Sequence, residues 1–360
     1  MEGIPRFIYE TTLQMANTHP EDEFILFFDR NVKADFGFPS NVKSIIIPWH
    51  ARHPILWLWW FEVMMPLYLW WYKVDVFYSG DGYLSLRSKR PTLLVMHDIA
   101  YFHYPDYVGK TSLDFYRKYV PRYLKRANHV VAVSEFVKKD IITHLNIPTE
   151  KISVAYNAVS PPISVDDIKL PATFIKAIDN KPYFLYVGAI QPRKNILKLI
   201  EGFWAFNRQS DIKYKLVLAG RFAWDTKEIQ KAIESSTDIF HAGMISESIK
   251  YKLIKDAVAL TYISVFEGFG IPLLEAMKMG TPVITSNVTS LPEVAGDAAI
   301  LVDPDDIKDI TKALITITSQ PGLRDLLAKK GLERYQTFSW EKSAQVIYHA
   351  LLDMVKSKAK

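Results

Sequence analysis

The 360 residues are 49% hydrophobic and carry 44 lysines and arginines against 39 acidic residues, a formal net charge of +5. That length accommodates about two domains, and the mild basicity suits anionic small molecules or an anionic membrane surface while being too weak for nucleic acid. With no cysteine, disulfides, thiolate metal sites and cysteine nucleophiles are excluded; no signal peptide precedes the first charged residues, which predicts a cytoplasmic protein.

The chain opens with a helical pattern over residues 7–17, a polar turn, and a strand over 23–28. Residues 42–47, VKSIII, read as a second strand. The most hydrophobic stretch follows at 55–72, ILWLWWFEVMMPLYLWWY, long enough to suggest a membrane span. Glu62 and Pro66 inside it, and Arg52-His53-Pro54 before it, argue against that reading. Trp57, Trp60, Phe61, Met64, Tyr68 and Trp71 recur at helical spacing and predict a helix packed on a sheet. So many tryptophans exceed what a core needs, and indoles favour the membrane interface, so peripheral membrane contact or a lipid-acceptor groove is the second reading. Short strands at 74–78 and 92–96 come next, the latter ending at His97-Asp98, where a histidine at a strand's carboxyl end is placed to meet a ligand, the alternative being a capping or structural histidine with Asp98 starting a turn. His103 reads as structural. A helix over 110–127 has a basic face of Arg117, Lys118, Arg122, Lys125 and Arg126, either solvated or facing anionic lipid heads. A strand at 130–133 leads to Ser134, a good N-cap for a helix over 135–145, and a strand at 151–155 closes the first domain. The run from Pro161-Pro162 to Pro171 marks a linker.

The second half opens with a strand at 183–187, then Gly188-Ala189-Ile190-Gln191-Pro192-Arg193-Lys194-Asn195, then a helix over 196–207. Two adjacent cations at a strand's carboxyl end suit a diphosphate, arginine through a forked contact and lysine as a point charge. As a mere surface pair they would oppose the helix dipole. A strand at 215–219 ends at Gly220-Arg221, and one at 239–242 precedes Gly243-Met244-Ile245-Ser246. The apolar run 258–263 then leads through Glu267-Gly268-Phe269-Gly270-Ile271-Pro272 into a helix from Pro272 to about Met279, closed by Gly280, and a strand at 281–285. This is a βαβ unit whose loop lies where open parallel sheets bind ligands, with unpaired helix-start amides suited to phosphate. Glu267 in the loop and Glu275 in the first helical turn are expected at the cleft edge, accepting from sugar or ribose hydroxyls. The alternative makes Glu275 a complement to the helix dipole and Glu267 a solvated loop charge. Asp303-Pro304-Asp305-Asp306 reads as a turn and N-cap for a helix from near Ile307, and no metal site is expected. Helices at 321–334 and 341–356 end the chain.

Residues 267–284, EGFGIPLLEAMKMGTPVI, closely resemble the signature of the family 4 glycosyltransferases, retaining enzymes of the GT-B architecture. The likeness extends to Gly188 with Arg193-Lys194-Asn195, to HDIAYFHYPDY from His97, and to Asn157-Ala158-Val159, so it covers nearly the whole chain. It implies two doubly wound, Rossmann-like α/β domains facing across a cleft. Residues 1–165 would form the acceptor side, 166–338 the nucleotide-sugar donor side, and 339–360 a helix crossing back to the first domain. Further implied are a contact of Glu267 with the donor sugar, of Glu275 with the ribose, and of Gly268, Phe269, Gly270, Ile271 and Leu274 with the diphosphate. Arg193 and Lys194 would stabilise the leaving diphosphate, with Gly188, Asn195 and Gly220 around the nucleotide and Met244 at the seat of the base. His97 would approach the sugar from the first domain, and Ser134 would line the cleft. The family's opening strand and glycine loop are matched only at Gly3-Ile4, with Pro5 replacing a glycine and no strand before it. The implied reaction moves a hexose, mannose from GDP-mannose being the first choice, from a GDP- or UDP-linked donor to a hydroxyl of a glycan or lipid-linked glycan. It would need no metal or other cofactor, and the enzyme would be cytoplasmic, with peripheral contact on the membrane's cytoplasmic face as the second expectation. The rival readings are a nucleotide-sugar-binding protein without transferase activity and a related two-domain enzyme such as a nucleotide-sugar epimerase.

Overall fold

The computed structural model describes residues 3–30, 36–48, 54–160 and 164–358. The chain divides into two compact units, Met1–Asn157 with Ser339–Lys360, and Ala158–Phe338.

In the N-terminal unit the helix Ile4–Thr18 comes first, with Pro5 inside its first turn, where a missing N–H costs nothing. Strands β1 (Phe24–Phe28) and β2 (Val42–Ile46) pair in parallel as a separate two-stranded sheet. Strands β3 (Phe77–Ser79), β4 (Thr92–Met96), β5 (His129–Ala132) and β6 (Ile152–Val154) form a second parallel sheet in that order. Every residue of β4 is buried, as its continuous apolar run requires of a strand covered on both faces. The last helix, Trp340–Lys358, lies along Ile4–Thr18. His19 stacks on Tyr348 at 3.5 Å, and the Tyr348 hydroxyl donates to Asp22 at 2.7 Å.

The tryptophan stretch is not one regular helix. It runs as Pro54–Trp59, a widened π turn Trp60–Met64, and Met65–Trp71. Pro66 supplies the reason: it lacks an N–H, and its ring collides with the carbonyl four residues back in a regular helix. The turn opens instead, and the Met65 N–H reaches the Trp60 carbonyl. Lys73 in the left-handed region ends the helix, with Val74 N–H bonded to the Leu69 carbonyl and Lys73 N–H to that of Trp70, both at 3.0 Å. That cap occupies residues expected to begin a strand, so β3 starts later. One helical face buries Trp60, Phe61, Met65 and Leu69 against Ile47, Phe27 and Phe77. The other leaves Trp70 67% and Trp71 72% exposed. Core helix and exposed aromatic surface are therefore the two faces of one element. Among the described residues, no helix is long and apolar enough to cross a membrane.

The C-terminal unit holds β7 (Tyr183–Val187), β8 (Lys215–Ala219), β9 (Ile239–Gly243), β10 (Ala259–Tyr262), β11 (Val283–Ser286) and β12 (Ala299–Val302). They form one parallel sheet of order β12-β11-β10-β7-β8-β9, the doubly wound arrangement. Of the segment expected as a linker, Pro161-Pro162 lie outside the described residues, and the described remainder packs within this unit. Ser160 accepts from the Lys278 amine, Val165 is buried, and Asp166 pairs with Lys255 at 2.6 Å. A short helix, Ala172–Ile178, follows directly after Pro171.

Candidate active site

Strands β7 and β10 are far apart in the chain but hydrogen-bonded neighbours in the sheet, with Phe184 opposite Ala259. Between them the strand order reverses, so the loops leaving their carboxyl ends diverge to opposite faces and open a crevice suited to a ligand. The loop after β7 carries a single 3-10 turn, Pro192–Lys194, before the helix Ile196–Gln209. The loop after β10 runs to Gly270 and the helix Ile271–Lys278.

Three contacts bind these loops into one piece. Val265 N–H donates to the Arg193 carbonyl at 3.0 Å, and the Arg193 guanidinium donates to the Phe266 carbonyl at 3.0 Å. The Lys194 amine pairs with the Glu267 carboxylate and donates to the Tyr262 hydroxyl at 2.7 Å, which in turn donates to Glu267 at 2.9 Å. Lys194 and Glu267 are both buried. Burial pushes the Glu267 carboxyl up, but Lys194 and then Arg193 outweigh it and hold the group below the ordinary carboxylate range. Tyr262 lies parallel to Tyr186, ring centroids 5.8 Å apart, and burial followed by the Glu267 charge keeps both hydroxyls protonated. Ser290 Oγ donates to the carbonyls of Glu267 at 2.8 Å and Phe269 at 3.0 Å, so the glycine loop is held in shape.

Two glycines are required, one by backbone contact and one by its backbone conformation. A Cβ on Gly220, whose φ is 150°, would lie 1.8 Å from the Gly188 carbonyl oxygen, so the ends of β8 and β7 meet only because the residue is glycine. Gly270 has φ 103° and starts the helix, with Leu291 at 2.7 Å from any Cβ.

The sequence placed Glu275 in the first helical turn at an open edge, and the structure corrects both points. The helix begins at Ile271, so Glu275 falls in its second turn, and it is only 5% exposed. Lys250, from the helix Glu247–Asp256, reaches it at 2.8 Å and also binds Glu247 at 3.0 Å. Burial lowers the Lys250 affinity for its proton, but Glu275 and Glu247 outweigh that and hold it above its ordinary value. Glu267 is likewise no solvated loop charge. Lys250, Tyr262 and Tyr186 escaped the sequence reading: the first looks like one more charge on a polar helix, the others like core strand residues.

The remaining expected residues scatter. Asn195 adopts a left-handed backbone, and its amide donates to the Pro304 carbonyl at 2.7 Å, tying the loop to the turn after β12. The side chains of Phe269 and Leu274 are buried in the core, Phe269 edge-on to Phe338, so only their backbone is placed to meet a ligand. Ile271 is half-buried at the helix start. Met244 follows the edge strand β9 and is 79% exposed, outside the cross-linked group. Gly3 caps the helix Ile4–Thr18, and its carbonyl accepts from Arg6 and Phe7. Asp306 caps the helix Ile307–Ser319, accepting from Lys308 N–H at 2.8 Å.

In the N-terminal unit, Ser134 is a buried N-cap accepting from Val137 N–H at 3.1 Å. His97 follows β4. Its Nε2 donates to the Gly80 carbonyl at 2.8 Å, which fixes the tautomer, and its ring meets Phe7 edge-on at 5.4 Å. Burial pushes this imidazole below its ordinary value, against the opposing pull of the Gly80 carbonyl and Asp98.

The family model for group 1 glycosyl transferases matches residues 172–334, and that for glycosyltransferase family 4 matches 2–161. The O-antigen chain mannosyltransferase B of Escherichia coli is 32% identical over 277 residues, 74% of this chain and 71% of that protein. The O-antigen chain mannosyltransferase RfbU of Salmonella typhimurium is 34% identical over 64% of this chain and 62% of its own length. Among solved structures, Anabaena HepE in complex with UDP and glucose superposes with a TM-score of 0.69 at 16% identity, covering 95% of each chain, which establishes likeness of fold. The GT-B fold, the two matched family models and the two O-antigen relatives agree: this chain is a hexosyltransferase belonging to the group 1, family 4 glycosyltransferases.

Proposed function

We propose that the C-terminal unit holds a nucleotide diphosphate sugar at the β7–β10 crevice and that the enzyme transfers its hexose with retention of configuration. The observation that carries this reading is the cross-linking of Arg193 and Lys194 to the Glu267 loop, which puts two cations beside the start of the helix Ile271–Lys278. The helix-start amides and the two cations supply what a diphosphate needs. Negative charge grows on the β-phosphate as the glycosidic bond breaks, so contacts made there strengthen in the transition state. Glu267, kept ionised by its cationic neighbours, accepts hydrogen bonds from sugar hydroxyls. Glu275, oriented by Lys250, serves the ribose. Protein cations take the place of a divalent ion, so donor binding survives EDTA.

The donor of choice is GDP-mannose, since the sequence relatives named above are mannosyltransferases acting on O-antigen chains. The acceptor is a hydroxyl of a glycan or lipid-linked glycan. Peripheral contact with an anionic membrane fits the exposed row Leu56, Trp59, Val63, Leu67, Trp70 and Trp71. Trp57, in the same stretch, packs against Phe115 of the basic helix Lys110–Arg126, whose cations would add attraction to anionic headgroups. The deciding experiment screens GDP-, UDP- and ADP-hexoses for binding and for product on a lipid-linked glycan acceptor, with and without EDTA. Turnover with GDP-mannose is expected. Turnover with a UDP-hexose alone overturns the choice of donor, and binding that collapses in EDTA overturns the metal-free clamp.

A further inference from the structure

We propose that His103, Asp140 and His144 of the N-terminal unit form a binding site for a divalent transition metal, zinc being the natural occupant. His103 is the last residue of the short helix Ala100–His103, while Asp140 and His144 lie one turn apart on the helix Glu135–Leu145. The His103 Nε2 is 2.8 and 3.0 Å from the two Asp140 oxygens, and the His144 Nε2 is 3.4 Å from the nearer one. All three ligand atoms lie within 4.8 Å of one another. A tetrahedral zinc with bonds of about 2.0–2.1 Å spaces its ligand atoms about 3.3 Å apart, so small side-chain rotations complete the site.

Charge points the same way. Asp140 is buried, and among the described residues both imidazoles lie against its carboxylate. A buried carboxylate is costly without a cation beside it, and a bound metal ion would supply that charge. Both histidines sit in the last turn of their helices, where carbonyl groups add partial negative charge. Their side chains are 27% and 34% exposed, which gives an ion a path in and leaves a coordination position for water. Two imidazoles and one carboxylate favour zinc, cobalt or nickel over magnesium. From its sequence context His103 reads as structural, and the ligand set becomes visible only where two helices meet.

This site is separate from the diphosphate clamp and makes no claim on its chemistry. Its effect is mechanical: the first N–H of the helix Ala100–His103, on Ala100, donates to the Asp98 carboxylate at 3.0 Å, and Asp98 directly follows His97. A bound ion would clamp that helix to Glu135–Leu145 and so steady the segment carrying His97.

The test uses the untagged full chain, stripped with EDTA and titrated with zinc by equilibrium dialysis and with cobalt by visible absorption. Because Asp140 is buried, the variants are at the exposed ligands, His144→Gln and His103→Gln, each checked for wild-type circular dichroism. One ion per chain is expected, with a tetrahedral cobalt band and a zinc-induced rise in Tm. Each variant should weaken binding at least tenfold and lose the band. Absence of binding at tens of micromolar zinc overturns the proposal, and so does binding of equal strength in wild type and both variants, which would mark scattered surface histidines. If the glutamine variants misfold, loss of the cobalt band in His144→Ala decides the matter in the same way.

Discussion

Lys194→Ala is the most informative single change, because structure and local sequence disagree about its consequence. Read as a loop cation, Lys194 could be removed with little effect on stability. In the folded chain it is 8% exposed and its amine is the partner of a carboxylate that is 7% exposed. Deleting one member of a buried pair costs about 3–5 kcal/mol, since the other is left as an uncompensated charge. Arg193 and the Tyr262 hydroxyl remain beside Glu267, so the lower end, about 3 kcal/mol, is expected. For a unit of this size that lowers Tm by about 6–12 °C. Turnover of the folded fraction should fall a further 10²–10³-fold, roughly 2.7–4 kcal/mol, if Lys194 stabilises the leaving diphosphate. Adding Glu267→Gln separates the effects: removing the orphan charge should recover much of the stability and none of the turnover. The pH dependence has a definite sign. The folded carboxyl lies below its ordinary value of 4.5, so the pair's contribution is fully present above that value and is lost as pH falls through the lowered one. The gap between wild type and Lys194→Ala in urea denaturation should therefore narrow on acidification. A double variant as unstable as the single one, or a gap that is constant with pH, would refute the account of a buried pair.

Three other outcomes are expected. Gly220→Ala should unfold or severely destabilise the C-terminal unit, by about 3 kcal/mol or more, because its Cβ would collide with the Gly188 carbonyl; a wild-type melting curve would contradict this. His97, whose folded proton affinity is lowered chiefly by burial, contributes stability that is complete above its ordinary value of 6.5 and fades as pH falls below it; His97→Gln should flatten the stability profile in that range. Trp70→Ser with Trp71→Ser should reduce cosedimentation with anionic vesicles while leaving Tm unchanged, whereas Trp60→Ser, in the core, should cost about 3–5 kcal/mol.

Much of this protein was legible in its residues alone. The strands at 92–96, 183–187 and 215–219 and the helix from Glu135 match the sequence reading, because continuous apolar runs and a serine cap are local signals. The two glycine loops and their helices were legible for the same reason: glycine and proline punctuate a chain wherever they stand. What the local pattern could not carry is pairing across distance. Lys194 and Glu267 are 73 positions apart and meet only because β10 lies beside β7. Glu275 was expected at an open edge, but the packing of Glu247–Asp256 buries it on Lys250. Trp60 and Trp70 look alike in sequence, yet the π turn Trp60–Met64 ahead of Pro66 and the position of the sheet send one into the core and the other to the surface. Periodicity reports which residues share a face of an element. Which face is covered, and which charge finds its counter-charge, is decided by strand order and helix packing, because burial and ion pairing are properties of elements already brought together.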